Sequence, residues 1–362
     1  MTMHRDCAAH DSHVDHVDHA NHTNHGNRYD LYAIGNALVD AEYEVSEEQL
    51  RDAGVGKGQM ALIDANRLAQ LQALLQGVAG HCAGGGSAAN TVVAFTQLGG
   101  RSFYSCCVAD DDLGDFYLND LRAHGVDGNL ARAPQGQTGN CLVLITPDAE
   151  RSMSTFLGVS AQIDRNALHP EALARSGIYY MEGYLASSPS ALDAVLAGRA
   201  LAREHGVDLA LTLSDVSMIR YCREGLDAMV GNADTGALRY LFCNEAEARA
   251  WCDGEDLSAA CTRLARCAQT VCITRAAQGC IVVEGDRRTE VPAPKVRAID
   301  TNGAGDMFAG VFLYAVTHGR NTTQAAALAN ACATRVVAQY GTRLQRETLL
   351  AVCADVERSL SV

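Results

Sequence analysis

Residues 299–310 read Ile-Asp-Thr-Asn-Gly-Ala-Gly-Asp-Met-Phe-Ala-Gly. Gly303, Ala304 and Gly305 precede an apolar periodic run of Met307, Phe308, Val311, Phe312, Tyr314 and Ala315, which predicts a strand or loop entering a helix. The first amides of such a helix have no partner and lie at the positive end of its dipole, so they attract anions. Asp306 is out of place there, because a carboxylate repels a phosphate. It is better explained as a base that takes the proton of a hydroxyl about to attack phosphorus. A plainer reading makes it a first-turn Asp serving the dipole alone. The wider chain decides between them.

Apolar runs alternate with helical stretches from Tyr29 onward. Expected strands cover 30–35, 59–63, 102–108, 140–145, 178–181, 208–213, 240–243, 270–274 and 280–284. Expected helices cover 87–98, 114–124, 190–205, 257–268, 304–318, 323–339 and 346–358. This order predicts an α/β fold with a central, mostly parallel sheet and helices on both faces. Ligands in such sheets bind beyond the carboxyl ends of the strands. Gly35–Asp40, Asn244–Glu247, Thr274 and Asp300–Asp306 all follow strand candidates, so they are expected to share a cleft. Segments 39–62 and 128–156 break the alternation and read as extended chain without an intervening helix. A Walker P-loop is absent, since Gly56-Lys57-Gly58 lacks the spaced glycine before it and the Ser/Thr after it. The Gly303–Gly305 turn is therefore left as the phosphate cradle.

The 362 residues suffice for one large α/β domain and a minor one. With 43 acidic against 29 basic residues the net charge is −14, which argues against a nucleic-acid or anionic-membrane surface. No apolar run is long enough to span a bilayer and no signal-peptide segment is visible, so a cytoplasmic protein is expected. Most of the fourteen cysteines are scattered through apolar runs without zinc-like pairs and read as reduced, buried small hydrophobes, while Cys7 and Cys82 are less clearly placed. Residues 1–28 form a separate, histidine-rich tail expected to be disordered. There His10, His13, His16, His19, His22 and His25 recur every third residue. Imidazoles at that spacing would line one edge of an extended chain and could bind a transition metal loosely. A low-complexity extension without catalytic consequence is the competing reading.

Asp300-Thr-Asn-Gly-Ala-Gly-Asp306 resembles the C-terminal signature of the ribokinase-like (PfkB) carbohydrate and nucleoside kinases. Gly85-Gly86-Ser87-Ala88-Ala89-Asn90, followed by Gly99-Gly100, resembles their N-terminal signature. Gly35-Asn36-Ala37-Leu38-Val39-Asp40, Asp110-Asp111-Asp112-Leu113-Gly114 and Asn244-Glu245-Ala246-Glu247 complete five pieces in family order across roughly 30–345. The resemblance implies a kinase domain over 29–362, with 39–62 and 128–156 forming a small β-sheet lid over the acceptor. It also implies ATP and Mg²⁺, and a monomer or a homodimer joined through the lid. Asp306 would be the general base, Gly303, Ala304 and Gly305 the anion hole, and Arg151 a guanidinium reaching the transferring phosphate. Asn36, Asp40, Gly85, Gly86 and Asn90 would hold the acceptor. Asn244, Thr274, Gly279 and Asn330 would contact the nucleotide. Glu247 would act on Mg²⁺ through water, and Asp300 on a monovalent cation such as K⁺.

Two details of the resemblance favour a nucleoside acceptor. Ser87 stands where ribokinases generally carry Lys, and Asn302 stands where others carry a second Thr. Both are adenosine-kinase forms, although Ala37 replaces a Pro and Ala88-Ala89 a Thr-Gln pair. The implied reaction is phosphorylation of a nucleoside 5′-hydroxyl, adenosine to AMP foremost. The alternative is a PfkB-type sugar kinase acting on ribose, fructose or a similar acceptor.

Overall fold

The computed structural model describes residues 29–148, 150–232 and 236–360. The histidine-rich tail lies outside them, and so does the metal-binding reading made of it. The described strands are β1 (Tyr29–Ile34), β2 (Leu38–Glu44), β3 (Met60–Leu62), β4 (Gly80–Gly85), β5 (Ser102–Ala109), β6 (Asp127–Ala133), β7 (Gly139–Ile145), β8 (Arg151–Phe156), β9 (Ser176–Glu182), β10 (Asp208–Thr212), β11 (Leu238–Asn244), β12 (Ala268–Thr274), β13 (Cys280–Glu284) and β14 (Arg287–Val291). Nine of them form one sheet in the order β14-β13-β12-β11-β10-β9-β1-β5-β6. All pairs in it are parallel except the two made by β13, which are antiparallel. A second sheet runs β3-β8-β7-β2-β4.

The expected α/β architecture is observed, and the burial pattern gives its cause. In β1, Leu31 and Ala33 enter one core while Tyr32 and Ile34 enter the other. In β11, Tyr240 and Phe242 face the first core and Leu241 and Cys243 the second. A strand covered on both faces must be apolar at every position, which is why these strands read as unbroken apolar runs. Helices Ser87–Gln97, Ala304–Thr317 and Thr322–Val336 fill the first core. Helix Pro189–Glu204 and its neighbours fill the second.

Helices Ser87–Gln97 and Ala304–Thr317 pack closely where Gly310 meets Thr91. A Cβ on Gly310 would lie 2.4 Å from the Thr91 carbonyl oxygen. That contact fixes the two helix starts beside each other.

Three local expectations need correction. Segment 39–62 is interrupted by helix Glu47–Asp52, which carries a full capping box between Ser46 and Gln49. Within 128–156, residues 128–133 belong to β6, which pairs with β5 as the edge of the large sheet rather than joining the small one. The small sheet instead gains β4, paired antiparallel to β2. No helix among the described residues is long and apolar enough to cross a membrane.

Candidate active site

Asp306 lies in the first turn of helix Ala304–Thr317. Ser87 Oγ donates to its Oδ1 at 2.6 Å, and Asn90 Nδ2 donates to its Oδ2 at 3.0 Å. Ser87 and Asn90 are three residues apart on the opening turn of their own helix, hence on one face. The cap of that helix is Gly86, without a side-chain hydrogen bond, so the Ser87 hydroxyl serves Asp306 instead. Burial pushes the Asp306 carboxyl up to about 6, against the pull of Ser87, Asn90 and the Arg343 guanidinium. The plainer first-turn reading does not explain why two side chains from another helix converge on this carboxylate.

The turn before it has the geometry of an anion cradle. Gly303 is the helix cap, at φ +74° in the left-handed region, and no side chain caps the helix behind it. A Cβ there would also sit 2.6 Å from Thr342 Cβ. Gly305 faces open space, with nothing within 4 Å of where a Cβ would stand. A group carrying negative charge has room to approach these amides.

Asp40 projects from β2, between Ala83 of β4 and Cys141 of β7. A Cβ on Gly85 would meet both of its carboxylate oxygens at 2.5 Å, so the glycine makes the space Asp40 occupies. Burial raises the Asp40 carboxyl to about 7, with Arg343 pulling it down and Glu42 and Asp306 pushing it up. Asn36 is buried and donates Nδ2 to Glu182 Oε1 at 2.7 Å. Glu182, at the end of β9, also accepts the Ala88 amide at 2.8 Å. It therefore ties the β1–β2 turn to the helix that carries Ser87 and Asn90. Burial raises it to about 7 as well.

Glu182 escapes the sequence reading. A carboxylate placed directly after the apolar run 178–181, at the carboxyl end of a parallel strand, is the available signal. Arg343 escapes it too. Its Nε donates to Asn90 Oδ1 at 2.8 Å and its Nη1 to Asp120 Oδ2 at 2.6 Å, while Thr342 Oγ1 reaches Asn90 Oδ1 at 3.3 Å. Nothing in the local sequence marks Arg343.

Arg151 of β8 forms an ion pair with Asp300, Nη1 to Oδ2 at 3.0 Å, and a second with Glu42 of β2. The first is not aligned as a hydrogen bond, because Nη1 and Nε are both buried without a hydrogen-bond acceptor. The residue joins the small sheet to the loop ahead of Gly303. Asp300 also accepts the amides of Asn302 at 3.0 Å and Gly341 at 3.2 Å. Its carboxylate is thus shared between two backbone amides and the Arg151 guanidinium.

Asn244 and Glu247 form a capping box at the start of helix Glu245–Trp251. Burial raises Glu247 to about 7, and Asp215 and Asp306 add repulsion. Thr274, half-buried at the end of β12, lies in register with Asn244. Gly279 and Asn330 meet at the end of β14. A Cβ on Gly279 would be 2.1 Å from the Val291 carbonyl oxygen, and Asn330 Nδ2 donates to that same oxygen at 2.8 Å. Among the described residues no group of three His, Cys, Asp or Glu side chains could hold a metal. A separate cavity of about 760 Å³, lined by residues such as Leu196, Arg199 and Asp227, shares no residue with this cluster.

An α/β sheet with an uncapped, glycine-started helix beside a half-buried carboxylate fits a phosphoryl-transfer architecture. Residues 58–349 match the family described as pfkB family carbohydrate kinase, and the chain belongs to that family. Adenosine kinase of Schizophyllum commune is 28% identical over 317 residues, covering 81% of this chain and 90% of the relative. The crystal structure of adenosine kinase from Sinorhizobium meliloti is 34% identical with a TM-score of 0.81, covering 92% of this chain and 99% of that one. A probable sugar kinase from Rhizobium etli CFN 42 is 31% identical with a TM-score of 0.82, covering 93% and 100%. The chain is a phosphotransferase with an alcohol group as acceptor, and the family implies ATP as co-substrate, usually with Mg²⁺.

Proposed function

We propose that this kinase phosphorylates the 5′-hydroxyl of a nucleoside, adenosine foremost. The observation that carries the reading is Asp306, held by Ser87 and Asn90 beside the uncapped Gly303–Gly305 turn. In this reading Asp306 takes the proton of the acceptor hydroxyl, and the amides of Gly303, Ala304 and Gly305 stabilise the transferring group. Asp40, Asn36 and Asn90 orient the acceptor, with Gly85 and Gly86 allowing close approach of the backbone. The small sheet closes over the acceptor and excludes water.

Asn244 and Thr274 border the nucleotide side, while Gly279 and Asn330 hold the β13–β14 end that flanks it. Bound Mg²⁺ would neutralise phosphate charge, with Glu247 acting on it through water. Arg151 serves the phosphate if it exchanges Asp300 for it. No cation is assigned to the Asp300 carboxylate.

Two relatives are named adenosine kinases, and Gly85-Gly86-Ser87 is present, which supports the nucleoside. The likeness to a probable sugar kinase at nearly equal identity favours a free-sugar acceptor as the second reading.

The test is ATP consumption with adenosine, inosine, guanosine, ribose and fructose. Adenosine is expected to be the best acceptor, and Asp306→Asn to lose about 10²–10⁴-fold in kcat. Because the base works only when ionised, wild-type kcat is expected to rise with pH through about 6 and then level. Preference for free sugars removes the nucleoside assignment, and no turnover with any acceptor removes the kinase mechanism.

A further inference from the structure

We propose that Arg343 is a positioning residue for Asp306: it fixes the Asn90 amide so that Nδ2 faces the carboxylate, and it keeps a cation beside Asp306 and Asp40. The inference rests on the kinase reading above and deepens it. A primary amide can present either its oxygen or its nitrogen to a carboxylate, and only the nitrogen is attractive. Asn90 Oδ1 accepts Arg343 Nε at 2.8 Å and Thr342 Oγ1 at 3.3 Å, both donors, so the oxygen is held on their side. Nδ2 is thereby turned to Asp306 at 3.0 Å.

Arg343 is itself held, with Nη1 on Asp120 Oδ2 at 2.6 Å. Asp120 lies on helix Asp112–Ala123, and both groups pass over Gly84 of β4, where a Cβ would stand 2.2 Å from Asp120 Oδ2 and 3.1 Å from Arg343 Nη1. The guanidinium is therefore clamped from two elements and its position is not a surface accident.

The charges around Asp306 show why a cation is needed. The charge on Asp306 raises the carboxyls of Asp40 on β2, Glu182 at the end of β9 and Glu247 on helix Glu245–Trp251, so ionising these groups together gathers negative charge around it. Ser87 and Asn90 supply hydrogen bonds, and Arg343 is the cation acting on it. The Arg343 Nη2 is buried without a hydrogen-bond partner. Buried donors are rarely left so, which leaves its two N–H groups for an oxygen of the acceptor.

The test is kcat and KM for adenosine from pH 5 to 9, using the full chain and the variants Arg343→Met and Arg343→Lys, with melting temperatures recorded. Arg343→Met is expected to lower kcat by about 10- to 100-fold and to move the acid limb of kcat upward by roughly one pH unit. Arg343→Lys restores the limb, since it returns the charge, but not the full kcat, since it lacks the planar fork that holds Asn90. Should Arg343→Met fail to fold, Arg343→Gln, which also removes the charge but keeps an amide donor, carries the same readouts. An unmoved limb in a folded variant that lacks the charge overturns the inference, whether or not kcat falls. A wild-type chain without turnover on any acceptor overturns the kinase reading instead, so the two failures are distinguishable.

Discussion

Glu182 is the least exposed carboxylate of the cluster and the one with the clearest stability signature. Its side chain is 1% exposed and accepts from Asn36 and Ala88. Burial outweighs those hydrogen bonds and lifts it from 4.5 to about 7. A carboxyl raised on folding favours the folded state while both states are protonated, and that advantage is lost as pH rises through the folded value. The ligand-free protein is therefore expected to lose stability between about pH 4.5 and 7. The loss is roughly 1.4 kcal/mol for each pH unit over which such a group stays protonated only in the folded chain. Asp40 and Glu247 act in the same direction. Chemical denaturation across that range measures the slope, and Glu182→Gln is expected to flatten it. A slope unchanged in the variant would assign the pH dependence elsewhere.

At the scale of elements, the helix pair Ser87–Gln97 and Ala304–Thr317 determines the site, and Gly310 determines the pair. Gly310→Val would force its side chain into the Thr91 carbonyl and push the helix starts apart. Overpacking of this kind costs about 1–3 kcal/mol. The accompanying shift would lengthen the Ser87 and Asn90 contacts to Asp306, so kcat is expected to fall more than KM rises. Activity and melting temperature, measured together, check this, and a variant that is unstable but fully active refutes it.

Legibility in the sequence divides along the same lines. Asp306, Asn90 and Asp40 are readable because each sits in a short motif at a strand end or helix start. The alternation of apolar runs likewise reveals the large sheet, since strands buried on both faces carry their signal locally. Arg343 is not readable, because its partner Asn90 is 253 residues away in the chain, and Glu182, 146 residues from Asn36, is marked only as a carboxylate ending an apolar run. The helix Glu47–Asp52 is hidden by its shortness, although Ser46 and Gln49 spell out its capping box. Strand β6 falls to the wrong sheet in a sequence reading because no single strand records which neighbour it pairs with.

At the scale of the whole molecule, the small sheet is coupled through Arg151 to the loop that leads into the anion cradle, by ion pairs to Glu42 within that sheet and to Asp300 in the loop. The three side chains are between 3% and 17% exposed, so removing the guanidinium strands two poorly hydrated carboxylates. Arg151→Met is expected to destabilise the protein by about 3–5 kcal/mol. Adding Asp300→Asn should recover part of that loss. Urea unfolding of the single and double variants measures both, and a single variant within experimental error of wild type would show that the link carries no weight.

The thiols offer a different use of the same architecture. Cys106, Cys243 and Cys272 are buried in the strands of the large sheet, and desolvation raises all three well above the range in which a thiol reacts readily. An alkylating reagent reaches them only during excursions that separate a helix layer from the sheet. The chain thus carries its own reporters of breathing motions, distributed from the strand beside β1 to the one that opens the antiparallel hairpin, and mass spectrometry can clock each layer separately without any foreign probe.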